Sequence, residues 1–368
     1  MINFQKWQKI TLYLLSFAAT ISILQGFNNA LAFSGDFQWS PSVLFWEGID
    51  PYNYYLNGNE NERIIMSQTP NYLHITYLML FPFSMLDWES AKFAWALSSL
   101  CFAIIAAVIL CKRAQLNLNE TLFIVFIFLC STPLRNTIGS GQHSTLVLLC
   151  FCGLFLQRKN FSESLIGLGF FKYSFMPPIF LYLVLSRGLK SAAFLSISSL
   201  IGWLLFSVYI GSNPLATLTL PIKVASGVVG DGTADVMTIA GFIFSKKESL
   251  LASIFIYSAP LLLSLAFVYH IMRNPGNTLY TFSMLAIASL VTFKHQPYDF
   301  LLLLPAFIYA FKHRASAKGK FSIALIFFNW FGLKAIAPLG IVPEILVPIN
   351  FFVMLVLAAL ITKMRSRV

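Results

Sequence analysis

The sequence predicts an all-α, polytopic helical membrane protein, and three observations support this prediction. Of its 368 residues, 58% are hydrophobic and only 11% are charged, whereas roughly a quarter of the residues of a soluble domain are charged. Apolar runs of about 17 to 25 residues, long enough for a helix to cross a bilayer, recur along the chain. Basic residues are concentrated in alternate connections between these runs. We therefore predict a single integral-membrane domain over residues 1–368, with about ten spanning helices.

The apolar runs define the predicted helices in order. The first run is too long for a cleavable signal peptide and lacks a small-x-small site followed by a soluble domain, so we interpret it as a spanning helix. A further stretch, 163–186, has basic residues at both ends and is interrupted by Lys172 and by prolines 177 and 178. This pattern predicts a broken re-entrant hairpin. The runs lie near residues 11–33, 91–111, 119–134, 144–157, 191–211, 249–271, 278–293, 300–311, 321–335 and 346–362.

The basic residues orient these helices. With the N-terminus in the cytoplasm, the cytoplasmic segments contain 16 of the 25 basic residues, but only Glu120 and Glu163 of the 14 acidic ones. This asymmetry follows the positive-inside rule, so the net charge of +11 reflects orientation and no nucleic-acid partner is expected. The outer side receives two long loops, 34–90 and 212–248. Their apolar segments "NYLHITYLMLFPFSML" and "VMTIAGFIF" predict short helices that lie in the membrane interface.

The cysteines predict neither a disulfide framework nor a metal site. All five lie inside apolar runs or at their edges, and no Cys-x-x-Cys or Cys/His spacing occurs. We expect them to be small core residues, and we expect no cofactor. The five are Cys101, Cys111, Cys130, Cys150 and Cys152.

Three polar segments fall on the predicted outer side. Asp36 follows the first helix, "STPLRNTIGSGQHS" occupies 131–144, and "VTFKHQPYDF" occupies 291–300. All three are predicted to be short outward turns or helix ends that face the same aqueous side. Ionisable residues at membrane depth are costly and tend to mark function. We expect the following groups to converge on one cavity at the outer boundary: Asp36, Arg135, His143, Lys294 and His295.

Each of these groups also has a structural interpretation. Asp36 fits equally well as the first solvated residue after a helix. Arg135 and Lys294 are at positions from which basic side chains commonly reach lipid headgroups, and a lone histidine is more often a hydrogen-bonded structural residue than a ligand or catalyst. Lys172 differs from these, because it lies within an apolar stretch and requires a partner or an aqueous pocket.

The order of the motifs resembles one family. "SGDFQWSPSVLFWEGIDPY" is similar to the first-loop signature of the mannosyltransferase-like family 87 of the GT-C fold, whose members are integral-membrane glycosyltransferases that use polyprenyl-phosphate sugars. "LFPFSML", "RNTIGSGQHSTLVLL", the lysine of "FFKYSFMPP" and "KHQPYDFLLLLP" follow in family order. The chain departs from the family at Lys172-Tyr173-Ser174, where Lys-Pro is usual, and at His143, where a small or apolar residue is usual. These departures leave the sugar and the acceptor open.

The resemblance implies an inverting, metal-independent hexosyltransferase of the bacterial cell envelope. It would act at the outer face of the inner (plasma) membrane, moving a mannose-like hexose or a pentose from a polyprenyl-phosphate donor to a lipid or glycan hydroxyl. Asp36 is expected to be the general base, with Arg135, Lys294 and His295 binding the donor phosphate. The sequence lacks an Asp-x-Asp nucleotide-sugar signature, in keeping with no metal. Further candidate substrate-binding residues are Gln142, His143, Lys172, Tyr298 and Asp299.

Two other classes of protein remain as alternatives. A transporter or flippase of a lipid-linked glycan would present similar basic groups to phosphate, but would need essential charges on both sides of the membrane midplane. The candidate groups lie on one predicted side, with Lys172 as the exception. A catalytically inactive scaffold subunit is the third possibility, and Asp36 at the signature position argues against it.

Overall fold

A computed structural model describes residues 2–35, 37–58, 68–227, 231–244 and 250–365. These residues form helices and contain no β-strand. The helices of the first half are α1 Ile2–Ala32, α2 Trp39–Trp46, α3 Pro51–Leu56, α4 Ile75–Met79, α5 Phe81–Ser84, α6 Trp88–Arg113, α7 Leu118–Cys130, α8 Thr132–Ser140, α9 Ser144–Phe151, α10 Lys159–Leu168 and α11 Met176–Arg187. Those of the second half are α12 Leu189–Ile210, α13 Pro214–Thr217, α14 Leu220–Gly227, α15 Val236–Phe244, α16 Leu250–Arg273, α17 Thr278–Thr292, α18 Leu304–Lys312, α19 Ala317–Phe327, α20 Leu333–Ile336 and α21 Pro343–Lys363.

Shorter turns of 3₁₀ and π geometry link several of these helices. The 3₁₀ turns are Cys152–Phe155, Gly169–Phe171, Tyr173–Phe175, Pro297–Leu303 and Ala337–Leu339, and Phe328–Gly332 is a π turn. Two of the 3₁₀ turns flank Lys172, and Pro297–Leu303 carries Asp299. Irregular backbone therefore coincides with two of the polar positions that the sequence analysis selected.

Six helices within the described residues are long and apolar enough to cross a membrane. They are Lys9–Ala32, Trp88–Arg113, Leu189–Ile210, Ser253–Arg273, Ala317–Ile336 and Pro343–Lys363. Helices α7 and α8 meet at 56° and would form a seventh span if counted as one. The chain is thus an all-helical integral membrane protein, but the predicted number of about ten spans is not confirmed. In α17, which is too short to be counted, every residue from 279 to 292 is buried, so this helix lies in the middle of the bundle.

The predicted hairpin at 163–186 is broken at Lys172. Helix α10 gives way to a 3₁₀ turn, Lys172 has non-helical backbone angles, and α11 begins after a second 3₁₀ turn. Pro178 lies in the first turn of α11, where its missing N–H removes no intrahelical hydrogen bond. That the segment enters and leaves the membrane on the same side stays a prediction.

Segment 131–144, predicted to be a short outward turn or helix end, contains the complete helix α8. The Ser131 hydroxyl accepts a hydrogen bond from the N–H of Leu134, and Pro133 lies in the first turn, so a new helix begins directly after α7. Gly141 ends α8 in the left-handed conformation, with φ of 73°. Because residues 132–140 form a helix, their polar side chains point to different sides of α8.

The described residues of the first long loop form a set of short helices. The predicted interface segment forms α4 and α5, and the apolar segment of the second loop forms α15. Phe45, Tyr52 and Tyr77 cluster with Phe206 of α12, which attaches the first loop to the bundle. The helical prediction for these segments is therefore correct, and their depth in the membrane interface stays a prediction.

The cysteine prediction is wrong for Cys101. Cys111, Cys150 and Cys152 are buried and Cys130 is partly buried, but Cys101 is exposed. It continues a face of α6 on which Phe93, Leu97 and Ile105 are also exposed, at a spacing of four residues. Because both the inward and the outward face of a membrane helix are apolar, sequence alone could not assign Cys101 to either.

Candidate functional site

The ends of three helices meet around Gly141. Its carbonyl accepts a hydrogen bond of 2.9 Å from the indole N–H of Trp95, near the start of α6. Phe37, which follows α1, stacks on Trp95 with ring centroids 5.0 Å apart. A Cβ added to Gly141 would lie 2.6 Å from the Cβ of Phe37, so only glycine allows this close approach. The junction brings the chain after α1 against the end of α8.

Lys172 lies beside this junction in a buried network of polar side chains. Its ammonium donates to Asp299 Oδ1 at 2.7 Å, to Ser144 Oγ at 2.9 Å and to Gln142 Oε1 at 3.2 Å. Lys172 therefore has the partner that the sequence analysis expected, and this partner is the carboxylate of Asp299. Only 6% of Lys172 and 2% of Asp299 is exposed, so the pair is removed from solvent. A buried pair of this kind persists only if further hydrogen bonds satisfy both charges.

Asp299 connects Lys172 to His295. Its Oδ2 lies 3.0 Å from His295 Nδ1, and its Oδ1 also accepts from Ser144 Oγ. Burial raises the pKa of Asp299, but Lys172 and His295 lower it by more, so the pKa lies well below its usual range. Asp299 is therefore ionised, and it orients the side chains of Lys172 and His295. We name the set Gln142, Ser144, Lys172, His295 and Asp299 the Lys172 network.

His295 lies at the edge of this network. Its ring stacks on Phe175 at a centroid distance of 4.1 Å, and its backbone carbonyl accepts from the N–H of Thr233 at 2.9 Å. Nδ1 faces Asp299, whereas Nε2 has no hydrogen-bond partner among the described residues. A buried polar atom without a partner is unfavourable, so Nε2 is the atom of the network best suited to contact a ligand.

Tyrosine side chains extend the network toward α8 and the first loop. Gln142 Nε2 donates to the Tyr298 hydroxyl at 2.8 Å, and the Tyr72 hydroxyl donates to Gln142 Oε1 at 3.1 Å. The hydroxyl of Thr137, on α8, lies 3.3 Å from the carbonyl oxygen of Tyr298. Gln142, Lys172, His295, Tyr298 and Asp299, which the sequence analysis selected separately, thus form one connected set.

A comparison with known protein families identifies the chain. The model of glycosyltransferase family 87 matches residues 74–305, more than half of the chain and a range that holds the entire Lys172 network. The chain belongs to glycosyltransferase family 87. No curated protein and no solved structure matches it. The family match confirms the resemblance inferred from the motifs, although it does not extend to the first-loop signature or to Asp36.

Arg135 and His295, two of the predicted phosphate-binding residues of this family 87 glycosyltransferase, have different side-chain partners. Arg135 donates to Gln25 Oε1 on α1 at 3.3 Å and to Thr132 Oγ1 at 3.4 Å. Lys294 is exposed beside the buried His295. Arg135 thus lies along α1, whereas His295 belongs to the Lys172 network.

His143 of the family 87 chain is surrounded by aromatic rings. It is fully buried, with ring centroids of Trp95 at 4.7 Å, Tyr72 at 5.2 Å and Phe171 at 5.7 Å. Burial, with a smaller contribution from the charge of Lys172, lowers the pKa of His143 to about 3. Neither ring nitrogen has a hydrogen-bond partner within the described residues. The geometry therefore favours a neutral packing residue over a substrate ligand.

Asp36 of the glycosyltransferase lies outside the described residues, so its role as a base stays a prediction. Its neighbours in sequence are described: Gly35 and Phe37 are buried, and Phe37 contacts the Gly141 junction. The chain on both sides of Asp36 is consequently packed at the end of the bundle.

Sequence analysis of this family 87 chain did not select two charged residues that the structure buries. Asp235 is buried in the second long loop, and burial raises its pKa although the N–H of Thr238 donates to it at 2.8 Å. The N–H of Thr233, two residues before Asp235, donates to the carbonyl of His295 at 2.9 Å, so this loop packs beside the Lys172 network. Lys92 is buried in the first turns of α6, pairs with Glu89 at 2.8 Å and donates to the carbonyl of Leu31. The signal for Asp235 was the "DGTAD" segment, which places two carboxylates in a glycine-containing loop.

Within the described residues, no group of three or more histidine, cysteine, aspartate and glutamate side chains could hold a metal ion.

Proposed function

We propose that this family 87 glycosyltransferase transfers one mannose-like hexose or pentose from a polyprenyl-phosphate donor to a hydroxyl of a lipid or glycan acceptor. The proposal places the site at the outer leaflet of the bacterial inner membrane, with Asp36 as the general base. The observation that carries it is the Lys172 network. Inside an otherwise apolar bundle, the residues of the family match form one buried, hydrogen-bonded arrangement of charges, which is typical of a functional site in a membrane protein.

The distribution of ion pairs supports the proposed orientation. Glu120 pairs with Arg314 at 2.5 Å and Glu163 pairs with Arg187 at 3.2 Å. All four residues belong to segments that the charge asymmetry assigns to the cytoplasm. Glu120 lies in the first turn of α7, whereas Gly141 follows the last residue of α8. The pair of Glu120 and Arg314 and the junction at Gly141 therefore lie at opposite ends of the α7–α8 pair.

In the proposed mechanism, the Asp36 carboxylate accepts the proton of the acceptor hydroxyl as its oxygen attacks the anomeric carbon. The bond from that carbon to the phosphate oxygen breaks, and polyprenyl phosphate leaves with the bonding electrons. Asp299 holds Nδ1 of His295, so Nε2 is oriented for the leaving phosphate, together with Lys294. Arg135, which contacts Gln25 of α1, is not assigned to this phosphate. A single displacement inverts the anomeric carbon, and the proposal requires no metal.

The test replaces the proposed base and a neighbouring aspartate separately. Asp36→Asn keeps the size of the side chain but cannot accept a proton, so transfer should fall at least about 100-fold. Asp50→Asn is the matched control, because Asp50 caps α3 by accepting from the N–H groups of Tyr52 and Asn53 and asparagine caps equally well. The assay incubates membranes carrying each variant with a panel of radiolabelled polyprenyl-phosphate sugars and follows label in the lipid and glycan fractions.

The two variants separate the possible results. Loss of transfer in Asp36→Asn with normal membrane insertion, and near-normal transfer in Asp50→Asn, is the expected result. Transfer within a few-fold of wild type in Asp36→Asn would remove this residue from the mechanism. Movement of a lipid-linked glycan across the bilayer by the wild type, without any sugar transfer, would replace the enzyme by the flippase alternative.

A further inference from the structure

One face of α6 contacts the chain on both sides of Asp36. It carries Trp88, Lys92 and Trp95, whose spacing of four and then three residues places their side chains on one side of the helix. The Lys92 ammonium lies 5.2 Å from the centre of the Trp88 ring, so the members of this face also pack against each other. We name these three side chains the tryptophan–lysine face.

Lys92 holds the end of α1. Only 4% of Lys92 is exposed, and its ammonium donates to the carbonyl of Leu31. Leu31 is among the last four residues of α1, whose carbonyls have no donor within the helix. A cation at this end also opposes the partial negative charge of the helix terminus. The ion pair of Lys92 with Glu89 lies at the surface, because 71% of the glutamate side chain is exposed. The buried contact of Lys92 is therefore the one with α1.

The two tryptophans of this face hold the chain beyond the proposed base. Phe37 stacks on Trp95 and also on Trp88, with ring centroids 5.0 Å and 6.3 Å apart, respectively. The ring of Trp39 lies 5.2 Å from that of Trp88. The indole of Trp95 is itself fixed by its hydrogen bond to the carbonyl of Gly141. The residues directly after the proposed base are therefore packed against α6, as is the end of α1 before it.

The backbone between these contacts is strained. Ser34 is buried and has a φ of 41°, in the left-handed region that residues other than glycine rarely adopt. The N–H of Phe37 donates to the Ser34 carbonyl at 3.1 Å, which closes a four-residue turn. A strained residue persists only where the surrounding structure holds it, and such residues are common at active sites. The tryptophan–lysine face supplies these restraints, since it contacts the chain before and after the turn.

We propose that Lys92 and Trp95 are positioning residues of the transfer reaction, which fix the turn that contains Asp36. Lys92 acts through the end of α1, and Trp95 acts through Phe37. The inference rests on the proposed function, in which Asp36 accepts the proton of the acceptor hydroxyl. A general base must lie within hydrogen-bonding reach of that proton, and a displacement of about 1 Å can slow a reaction about 100-fold. Neither positioning residue contacts substrate or takes up a proton.

The experiment measures kcat and KM of the full-length protein in membranes, with the labelled polyprenyl-phosphate sugar that the wild type transfers. Lys92→Met removes the ammonium and keeps a side chain of similar length, so kcat should fall about 10–100-fold. KM should stay within about threefold, because the substrate contacts are unchanged. Lys92→Arg keeps a cation that can donate to the Leu31 carbonyl and should recover most of the lost kcat. Trp95→Phe keeps a ring against Phe37 but loses the N–H donor, so kcat should fall about 2–10-fold.

Leu110→Ala is the control for stability. Leu110 is fully buried near the opposite end of α6, so its truncation leaves a cavity beside the same helix. This variant should lower the unfolding temperature at least as much as Lys92→Met does, but its kcat per folded molecule should stay near that of the wild type. Glu89→Gln removes only the exposed ion pair and should also keep kcat near that of the wild type.

A double variant tests whether Lys92 acts through Asp36. Asp36→Asn has no base to position, so adding Lys92→Met should lower its residual transfer by less than about twofold. If Lys92→Met does not insert, Trp95→Phe replaces it in the same comparison. Losses that multiply, a wild-type kcat in Lys92→Met, or an equal loss of kcat in Leu110→Ala would each overturn the inference. Near-wild-type transfer by Asp36→Asn alone would refute the proposed function, and the inference with it, without any change in α6.

Discussion

The buried pair of Lys172 and Asp299 allows a quantitative test of the network. Lys172→Met removes the ammonium and keeps a side chain of similar length. Asp299 is then left as a buried carboxylate with only the Ser144 hydroxyl and His295 Nδ1 as side-chain partners. Removing one partner of a buried ion pair typically costs about 3–5 kcal/mol of the free energy of unfolding, because the remaining charge is desolvated without compensation.

The double variant shows how much of this cost comes from the unpaired charge. In Lys172→Met/Asp299→Leu both charges are replaced by apolar groups, so the loss should be smaller than for Lys172→Met alone. The two single changes should therefore couple by at least about 2 kcal/mol. The free energy of unfolding is measured by titration with sodium dodecyl sulfate in mixed micelles, followed by tryptophan fluorescence.

The control is an ion pair that is partly exposed to solvent. Arg314 and Glu120 pair at 2.5 Å, but 47% of the arginine side chain is exposed. Arg314→Met should therefore cost at most about 1 kcal/mol. If Lys172→Met cost no more than Arg314→Met, the Lys172 network would not be a desolvated ion pair, and the reasoning that makes it the centre of the site would be refuted.

Three further predictions test other parts of the structure. Because the pKa of His143 is lowered to about 3, the unfolded chain binds an extra proton below about pH 6.5, and stability should fall from there toward pH 3 by up to about 1.4 kcal/mol per pH unit. His143→Phe should remove that part of the slope in unfolding titrations, and an unchanged slope would contradict the buried, neutral imidazole. Gly141 and Gly211 both have left-handed backbone conformations, but only at Gly141 would a new Cβ collide with a neighbour, Phe37. In the same assay, Gly141→Ala should therefore lower the free energy of unfolding by at least about 1 kcal/mol more than Gly211→Ala. Equal losses would show that Phe37 moves aside. The orientation is tested with single cysteines in a cysteine-free background. A cysteine at Ser212, just after the end of α12, should react with an impermeant reagent added from outside. A cysteine at Lys190, at the start of α12, should react only after permeabilisation, and an exchange of the two results would reverse the proposed orientation.

Much of the candidate site could be predicted from sequence, because ionisable groups in an apolar chain are conspicuous. Lys172 was selected for its position within an apolar stretch, and the structure provides the carboxylate that such a lysine needs. His295, Tyr298 and Asp299 were selected within one short motif, and all three join the same network. The pairing itself could not be predicted, because 127 residues separate Lys172 from Asp299 in the chain.

Arg135 and His143 show where this reasoning is insufficient. Both lie in segment 131–144, and sequence analysis assigned both to one cavity. Since the segment is a helix followed by a turn, Arg135 faces α1 whereas His143 enters an aromatic cluster. Asp235 was not selected at all, because its burial depends on how the second loop packs near His295.

The sequence by itself determined the class of the protein: an all-helical membrane chain, its family, and the polar motifs that interrupt its apolar runs. These features follow from local composition, since a bilayer requires long apolar helices and penalises each isolated charge. Only the tertiary structure decided that Arg135 contacts α1 while Lys172 is paired with Asp299. The reason is physical: in a bundle whose helices are apolar on every face, hydrophobicity does not specify which faces meet, so close glycine contacts and buried hydrogen bonds determine it.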